Sequence, residues 1–207
     1  DGVALGPYLR KKFGIPVYIN NDGDLFAYGE ALGGVLPEIN EKLELSGSPK
    51  RYRNLLGYVF GDGFGVGMIV NGMMNRGDNS CVETCYFPHS KRPDIIIEEG
   101  VSIRAVKRVY KELSGDGRDL EPKDIFDIAE GRLEGSREAA VQAFAEMGEL
   151  TGEAIIPAVN LTDGLVVLGG GMTGAAKYLK PAILEVMRSK ISTLDGQQLG
   201  RIPMKVY

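Results

Sequence analysis

The segment from Gly61 to Gly67 (GDGFGVG) constrains the fold of this chain most, because glycine stands at every second position between two β-rich runs. Leu55 to Phe60 precedes it, Met68 to Val70 follows, and Asn71-Gly72 is a strong hairpin signal. Glycines without Cβ let backbone N–H groups approach and cradle a phosphate. The segment is neither a Rossmann nor a Walker motif, because a strand follows it and the Lys-Ser/Thr pair is absent. The sequence therefore predicts a β meander around a glycine loop that serves either phosphate binding or packing alone.

Composition indicates an ordinary globular chain with a real core. It has 207 residues, 43% hydrophobic and 25% charged, which is enough to bury a substantial interior. A net charge of -4 and a pI near 5.2 leave no basic face for nucleic acid or an anionic membrane. Apolar runs fall short of the roughly 20 residues that span a bilayer. Two cysteines favour a reducing cytoplasm, and Asp1 in place of Met leads us to expect a piece of a longer protein.

Helical and strand periodicities alternate along the chain. The first part predicts a helix over Val3 to Phe13, a short strand over Pro16 to Ile19, a second helix, and a polar surface loop over Pro37 to Arg53. After Gly100, the pattern predicts helices at Val101 to Leu113, Pro122 to Glu130, Glu134 to Asn160 and Ala175 to Ile191, a buried strand at Leu165 to Leu168, and the start of a strand at Pro203 to Tyr207. The fold class is therefore α/β.

Two further motifs stand where a strand gives way to a helix. Asn21 and Asp22 lie at the position where open α/β sheets place ligand groups, so Asp22 is a candidate to take a proton from a sugar hydroxyl. A helix cap is the alternative for this pair. Gly169 to Gly171 would let a nucleotide base or ribose approach the backbone, or they form an ordinary glycine turn.

Cys81, Cys85 and His89 fall at C-x3-C-x3-H spacing. A fourth ligand is not within sequence reach, and Pro88 interrupts a helix, so the pattern favours two buried thiols and a surface histidine over a metal site. His89 is the only histidine, and the sequence around it gives no sign of a nucleophile. A hydrolase of the Ser-His-Asp or Cys-His kind is therefore not favoured.

Taken together and in order, five segments resemble the ROK family of sugar kinases and sugar-sensing repressors, within the actin-like ATPase and sugar kinase superfamily. The segments are Pro16 to Asp22 (PVYINND), Gly29-Glu30, Gly61 to Gly72, Glu83, and Val166 to Gly171 (VVLGGG). The resemblance runs from about residue 1 to residue 192. It implies a two-lobed actin-like ATPase (ribonuclease H-like) fold, with a mixed sheet and a helical layer. Residues 1–33 would end the N-terminal lobe, residues 34–207 would form a truncated C-terminal lobe, and the family's phosphate loop would lie upstream of Asp1.

The resemblance also implies a function and a set of site residues. The family phosphorylates hexoses with ATP and Mg²⁺, and its Asn-Asp pair supplies the catalytic base, which is Asp22 here. Sugar ligands would be Asn21, Glu83 and Glu98. The nucleotide would be lined by Gly61, Asp62, Gly63, Gly65, Gly169, Gly170 and Gly171. A cytoplasmic homodimer is implied, with no membrane contact, and with DNA binding only if a helix-turn-helix lies upstream.

Three departures from the family pattern bear on activity. Val82 to Tyr86 matches the family's G-E-x-G-H motif, but only Glu83 is kept, and Cys85 and Tyr86 replace the second glycine and the histidine. The cysteines of the family's zinc motif are missing, so we expect no structural zinc. Asp62 stands where Thr or Ser is usual, and its carboxylate would repel ATP phosphates unless a cation intervenes.

These departures leave two functions open, an ATP-dependent hexose kinase and a catalytically impaired sugar-sensing repressor. An interaction protein on the same scaffold is a third hypothesis, which an exposed Asp22 without a cleft would favour. Both leading hypotheses predict two lobes that close over a cleft when ligand binds.

Overall fold

A computed structural model describes residues 2–207 and shows a mixed α/β fold, as predicted. The helices are α1 (Leu5–Phe13), α2 (Asp22–Gly33), α3 (Val35–Leu45), α4 (Ile103–Ser114), α5 (Pro122–Ala129), α6 (Arg137–Thr162) and α7 (Ala176–Met187). The strands are β1 (Leu55–Phe60), β2 (Phe64–Val70), β3 (Met73–Met74), β4 (Pro88–His89), β5 (Arg92–Ile96), β6 (Leu165–Gly170), β7 (Lys190–Ser192) and β8 (Gln198–Gly200). Short 3-10 turns cover Ile97–Gly100 and Gly171–Ala175. Over residues 2–207, no helix combines the length and apolarity needed to cross a bilayer.

The main sheet has four strands in the order β3-β2-β1-β6. Strand β1 runs antiparallel to β2 and parallel to β6, so the predicted mixed sheet is confirmed. Phe60 at the end of β1 pairs with Gly170 at the end of β6. The segments that follow these two strands therefore leave the sheet at the same edge, which is where open α/β sheets place their ligands.

Helix α2 lies directly on the backbone of this sheet, at positions where the strands carry glycine. A Cβ added to Gly57 would lie 2.8 Å from the Ala27 Cβ, and one added to Gly67 would lie 2.5 Å from the same atom. A Cβ at Gly169 would lie 2.5 Å from the Phe26 ring. Because no side chain separates them, the helix and the sheet are held in one fixed arrangement.

The other face of the sheet packs against the predicted helical layer. The 26 residues of α6 pass through its centre, and the buried residues of this helix include Phe144, Met147 and Leu150. The sheet contributes Tyr58, Phe60 and Phe64 to the same core, and α4, α5 and α7 complete it. The sheet is thus covered by α2 on one side and by the α6 layer on the other.

The predicted surface loop over Pro37 to Arg53 is wrong in its first part, because α3 extends to Leu45. Pro37 falls in the first turn of this helix, where a missing N–H costs nothing. Leu36 is buried, and Lys42 forms an ion pair with Glu38 one turn earlier. The polar composition that suggested a loop belongs to the exposed face of an amphipathic helix.

The predicted strand over Pro16 to Ile19 is also wrong, since these residues pair with no other strand in the described part of the chain. Tyr18 is 90% exposed and Ile19 is 60% exposed, so the β-rich composition here reflects apolar surface rather than a ladder. The predicted division into lobes at residues 33 and 34 stays a prediction.

The predictions for the last forty or so residues need smaller corrections. Strand β6 is half-exposed rather than buried, because it forms an edge of the sheet. Helix α7 ends at Met187 instead of Ile191, and the predicted strand over Pro203 to Tyr207 is absent. A hairpin of β7 and β8 stands before that segment instead.

The contact between α2 and the sheet gives a stability prediction. Replacing Gly67 by alanine should lower the free energy of unfolding by about 2 to 3 kcal/mol, because the new methyl group overpacks a backbone contact. Gly29→Ala is the matched control, since a Cβ there meets no atom within 4 Å, and alanine favours helix by up to about 1 kcal/mol. Urea unfolding of the full-length protein checks both values. Equal stability of the two variants would contradict the close contact.

Candidate active site

A cleft of about 600 Å³ opens at the edge of the sheet where β1 ends and β2 begins. It lies between the start of α2, the β1–β2 turn and the segment from Ser80 to Tyr86. Its lining residues are Asn21, Asp22, Val59, Gly61, Asp62, Gly63, Phe64, Gly65, Ser80, Cys81, Glu83, Cys85, Tyr86 and Glu98. The structure thus brings together every predicted catalytic and sugar-binding residue and the predicted nucleotide residues of the first glycine segment.

The start of α2 presents Asn21 and Asp22 to this cleft. Asn21 caps the helix, because its side-chain oxygen accepts a hydrogen bond from the Asp24 N–H at 3.1 Å. Asp22 is the first helical residue, and its Oδ1 accepts a local hydrogen bond from the Gly23 N–H at 3.0 Å. The capping hypothesis therefore describes Asn21, whereas Asp22 is an exposed carboxylate on the wall of a cleft.

The glycine loop is shorter than predicted, because β2 already begins at Phe64. Only residues 61–63 form the turn, which the Gly61 N–H closes by donating to the Gly63 carbonyl at 3.1 Å. Gly65 lies in β2 and lines the cleft, and Gly67 lies under α2. The phosphate-binding hypothesis thus remains open for the first three glycines, which line the cleft. The packing hypothesis describes Gly67, which contacts α2.

Glu98 joins the 3-10 turn after β5 to the β1–β2 turn. Its Oε2 accepts a hydrogen bond from the Phe64 N–H at 3.0 Å. Gly63 leaves room for this carboxylate, because a Cβ at that position would lie 2.9 Å from the same oxygen. Glu98 is partly buried, and its carboxylate is fixed by the protein.

Glu83 lies near three other carboxylates, those of Asp24, Glu98 and Asp22. Burial raises the pKa of its carboxyl above the ordinary value, and the negative charges of Asp24, Glu98 and Asp22 raise it further. Cys85 lies beside Glu83, and burial, followed by the negative charges of Glu83 and Glu98, raises the pKa of its thiol to about 11. Cys85 is therefore a neutral thiol at neutral pH and a poor metal ligand or nucleophile.

The prediction of two buried thiols and a surface histidine is wrong for Cys81 and for His89. Cys81 is exposed and Cys85 is half-buried, whereas His89 is only 2% exposed. His89 sits in the β4–β5 hairpin, where its Nδ1 accepts a hydrogen bond from the Lys91 N–H at 3.2 Å, and burial lowers its pKa. Within residues 2–207, no three Cys, His, Asp or Glu side chains are arranged to hold a metal ion.

The second glycine motif lies outside this cleft. Gly169 packs against the Phe26 ring, and Gly170 has a positive φ of 89° at a position where a Cβ would clash with the Phe60 carbonyl. Gly171 lines a separate cavity of about 160 Å³, together with Lys123 and Phe126. The structure therefore places Gly171 at a small cavity and the two preceding glycines against the protein's own backbone and core.

Sequence reasoning missed two arginines, Arg76 and Arg104, which contact residues that line the cleft. Arg76 lies 3.4 Å from the Asp24 carboxylate and donates to the Ser80 hydroxyl at 3.1 Å. Burial raises the pKa of Asp24, and Arg76 opposes that shift. Arg104 contacts the β1–β2 turn and Glu98. Neither residue belongs to a motif, so only the folded structure reveals its neighbours.

Comparison with known proteins gives a consistent result. The model of the ROK family matches residues 1–203. A glucokinase from Parabacteroides distasonis is 53% identical, with a TM-score of 0.84 over 93% of this chain and 57% of the relative. A ROK family glucokinase from Streptomyces griseus, solved with glucose and AMPPNP, is 20% identical, with a TM-score of 0.67 over 89% of this chain and 61% of that chain. A ROK family transcriptional regulator, a homologue of the E. coli MLC protein, is 21% identical, with a TM-score of 0.68 over 89% of this chain and 47% of that chain.

The chain spans less than two thirds of the length of each of these relatives. The two at about 20% identity share its fold, and the first is also 53% identical in sequence over the aligned part. Together with the family match over nearly all residues, the fold and the cleft show that this chain belongs to the ROK family.

Proposed function

We propose that the full-length protein is an ATP-dependent sugar kinase that transfers the γ-phosphate to a hydroxyl of a hexose. The observation that carries this proposal is the convergence of Asp22, Glu83 and Glu98 with the β1–β2 turn in one cleft. A kinase of this kind needs a base for the hydroxyl, acceptors that orient the sugar, and a backbone surface for phosphate. Candidates for all three line the cleft.

Asp22 is the proposed general base. Its exposed carboxylate stands at the start of α2, and this helix is fixed on the sheet by the glycine contacts. An ionised carboxylate is an acceptor only, so Asp22 can take the proton that a sugar hydroxyl loses as its oxygen attacks phosphorus. Asn21, Glu83 and Glu98 are the proposed partners of the other hydroxyl groups.

The nucleotide would reach along the edge of the sheet. The proposed phosphate end lies at the turn of residues 61–63, and the proposed base end lies at the cavity beside Gly171, because β1 and β6 end next to each other. Phosphoryl transfer relies mainly on positioning and on neutralising negative charge, which the Mg²⁺ that accompanies ATP supplies. Asp62 is exposed at this turn, so the ion would also offset its repulsion of the phosphates.

The relatives support this proposal. The protein with 53% identity is a glucokinase, and the Streptomyces griseus enzyme was solved with glucose and AMPPNP. Glucose is therefore the first sugar to test on this chain. The homodimer, the cytoplasmic location and the closing of two lobes over the cleft stay predictions.

A sugar-sensing regulator is the second candidate function. The substitution of Cys85 and Tyr86 within the sugar motif favours it, because both residues line the cleft and change its chemistry. The similarity in fold to a ROK transcriptional regulator is compatible with either function. The same cleft would then bind a sugar without transferring phosphate, and DNA binding would need a helix-turn-helix outside this chain.

The first test is ATP consumption by the full-length protein with glucose, other hexoses and N-acetylhexosamines. Asp22→Asn should lower kcat at least about a hundred-fold, the usual range for loss of a general base. Sugar affinity, measured by calorimetry, should change less than about three-fold, because the amide keeps the size and one acceptor of the carboxylate. Asp94→Asn, an exposed change on β5 outside the cleft, is the control and should leave kcat unchanged.

Other results would point elsewhere. Sugar binding without turnover in the unmodified protein would favour the regulator. A marked loss of stability in Asp22→Asn, with kcat retained, would show that Asp22 acts in helix capping rather than in catalysis.

Glu83 gives a pH-dependence prediction. Its pKa is raised above 4.5 by burial and by neighbouring carboxylates, so protonation on lowering the pH begins above that value. Sugar affinity should therefore fall as the pH drops below this raised pKa, because the protonated group loses acceptor capacity. Titration calorimetry between about pH 4 and 8 measures the effect.

The matched variants are Glu83→Gln and Glu185→Gln, the second at an exposed position on α7. Glu83→Gln should weaken sugar binding about ten-fold and remove the fall in affinity at low pH. Glu185→Gln should leave the affinity and its pH dependence unchanged. A raised carboxyl pKa favours the folded state at low pH and loses that contribution as the pH rises through it. Protonation of Glu83 therefore does not unfold the protein, and the loss of sugar affinity at low pH has another cause than unfolding. If Glu83→Gln still lost sugar affinity at low pH, a different group would be responsible.

A further inference from the structure

Arg104 stands at the start of α4, and its guanidinium joins three groups from two different segments. Its Nη1 donates to the Asp62 carbonyl at 2.8 Å. Its Nη2 lies 2.8 Å from the Glu99 carboxylate and 3.4 Å from Glu98 Oε1. One side chain therefore connects the β1–β2 turn to the 3-10 turn that carries Glu98.

Glu98 uses both of its oxygens within the protein. Oε1 faces Arg104, and Oε2 accepts from the Phe64 N–H at 3.0 Å. The Ile103 N–H also donates to the Gly61 carbonyl at 3.0 Å. Segment 98–104 thus holds the β1–β2 turn at three separate points, and Arg104 supplies the contact that also fixes the orientation of a cleft carboxylate.

An ordinary surface ion pair would not have this effect. Arg104 is 52% exposed, and exposed pairs contribute little to stability. Its planar fork, however, donates from two nitrogens in a fixed geometry, which orients the acceptors as well as attracting them. Arg104 therefore acts mainly by orienting the groups that it contacts beside the cleft, and it contributes little to the free energy of folding.

We propose that Arg104 is a positioning residue that sets the Glu98 carboxylate and the β1–β2 turn in a single arrangement. This inference rests on the proposed function, since it couples the sugar-binding carboxylate to the phosphate-facing turn. Arg104 also brings a permanent positive charge to the turn that carries Asp62. Loss of the guanidinium would free Glu98 to rotate and would release the Asp62 carbonyl.

The test is a double-mutant cycle on the full-length protein, with glucose and ATP as substrates. Arg104→Ala should lower kcat/KM for glucose about ten-fold, mainly through a higher KM. Glu98→Gln should cause a similar or larger loss. The double variant should lie within about two-fold of Glu98→Gln, because the two residues act as one unit. Additive losses would overturn the positioning role.

Two further variants separate geometry from charge and from general stability. Arg104→Lys keeps the charge but not the fork, so we expect a partial defect, and full activity would overturn the bridging role. Arg51→Ala is the matched control, because Arg51 is 39% exposed and bonds the Ser48 carbonyl at 2.7 Å and Glu44 at 3.4 Å. Arg51 lies before β1, at the end of that strand away from the cleft, and kcat/KM should be unchanged.

Amide hydrogen exchange gives a readout that does not depend on any sugar. The Phe64 amide should exchange about ten-fold faster in Arg104→Ala than in the unmodified protein or Arg51→Ala, because its acceptor Glu98 is no longer held. Unchanged exchange at Phe64 would overturn the proposal whatever the substrate. An unchanged kcat/KM for glucose in Arg104→Ala would overturn the positioning role and leave the proposed function standing. An unmodified protein that binds none of the panel sugars would overturn the proposed function, and the exchange of the Phe64 amide would then decide the positioning role separately.

Discussion

The contact between α2 and the backbone of the sheet is the constraint on which the site depends. Glycines in β1, β2 and β6 let this helix lie against the strands without intervening side chains, and its first turn also touches β2 at Val66. The helix cannot tilt or slide without a clash, since protein interiors are close-packed. The backbone of Asp22 is therefore held in a fixed position relative to the β1–β2 turn. Its own side chain is exposed and makes only a local hydrogen bond. Rigid elements position an exposed side chain such as Asp22, the proposed base, more reliably than a loop does.

The second constraint is electrostatic. Asp22, Asp24, Glu83 and Glu98 lie close enough for their negative charges to raise the pKa of Glu83. Arg76 and Arg104 partly balance this charge through ion pairs with Asp24 and Glu98 respectively. An acidic cleft suits a ligand that donates many hydrogen bonds, as a sugar does, and it suits a nucleotide only when a cation accompanies the phosphates. The charge pattern therefore supports the proposed division of the cleft into a part that binds sugar hydroxyls and a turn that faces the phosphates.

The sequence predicted the parts of this structure that carry a local or periodic signal. Helices α4 to α7, the β1–β2 meander and the joining of Asn21, Asp22, Glu83 and Glu98 in one cleft agree with expectation. Helix α3 was missed, because a proline in its first turn and a polar exposed face resemble a loop. The predicted exposure of His89 was wrong, since its burial depends on the packing of Gly100, which also lies against Leu150 of α6, and no local pattern records this contact. The roles of Arg76 and Arg104 could not be predicted either, because their partners lie far away in sequence or on another element.

The positions of Asp62 and Tyr86 in the structure show which part of the protein the departures from the family pattern affect. Asp62 is exposed on the turn, and its carbonyl, rather than its carboxylate, is bound by Arg104. Its side chain can therefore turn toward solvent or toward a metal-bound phosphate without breaking a contact of the fold. Tyr86, which replaces the family's histidine, is 72% exposed at the cleft, so the substitution alters what the sugar meets and leaves the core unchanged. Both departures thus affect the ligand-facing surface, whereas the scaffold that holds Asp22, Glu98 and the turn is intact. Changes confined to the ligand-facing surface fit either candidate function, and the proposed kinase is favoured because the scaffold still holds Asp22, its proposed base, in the same cleft as the β1–β2 turn.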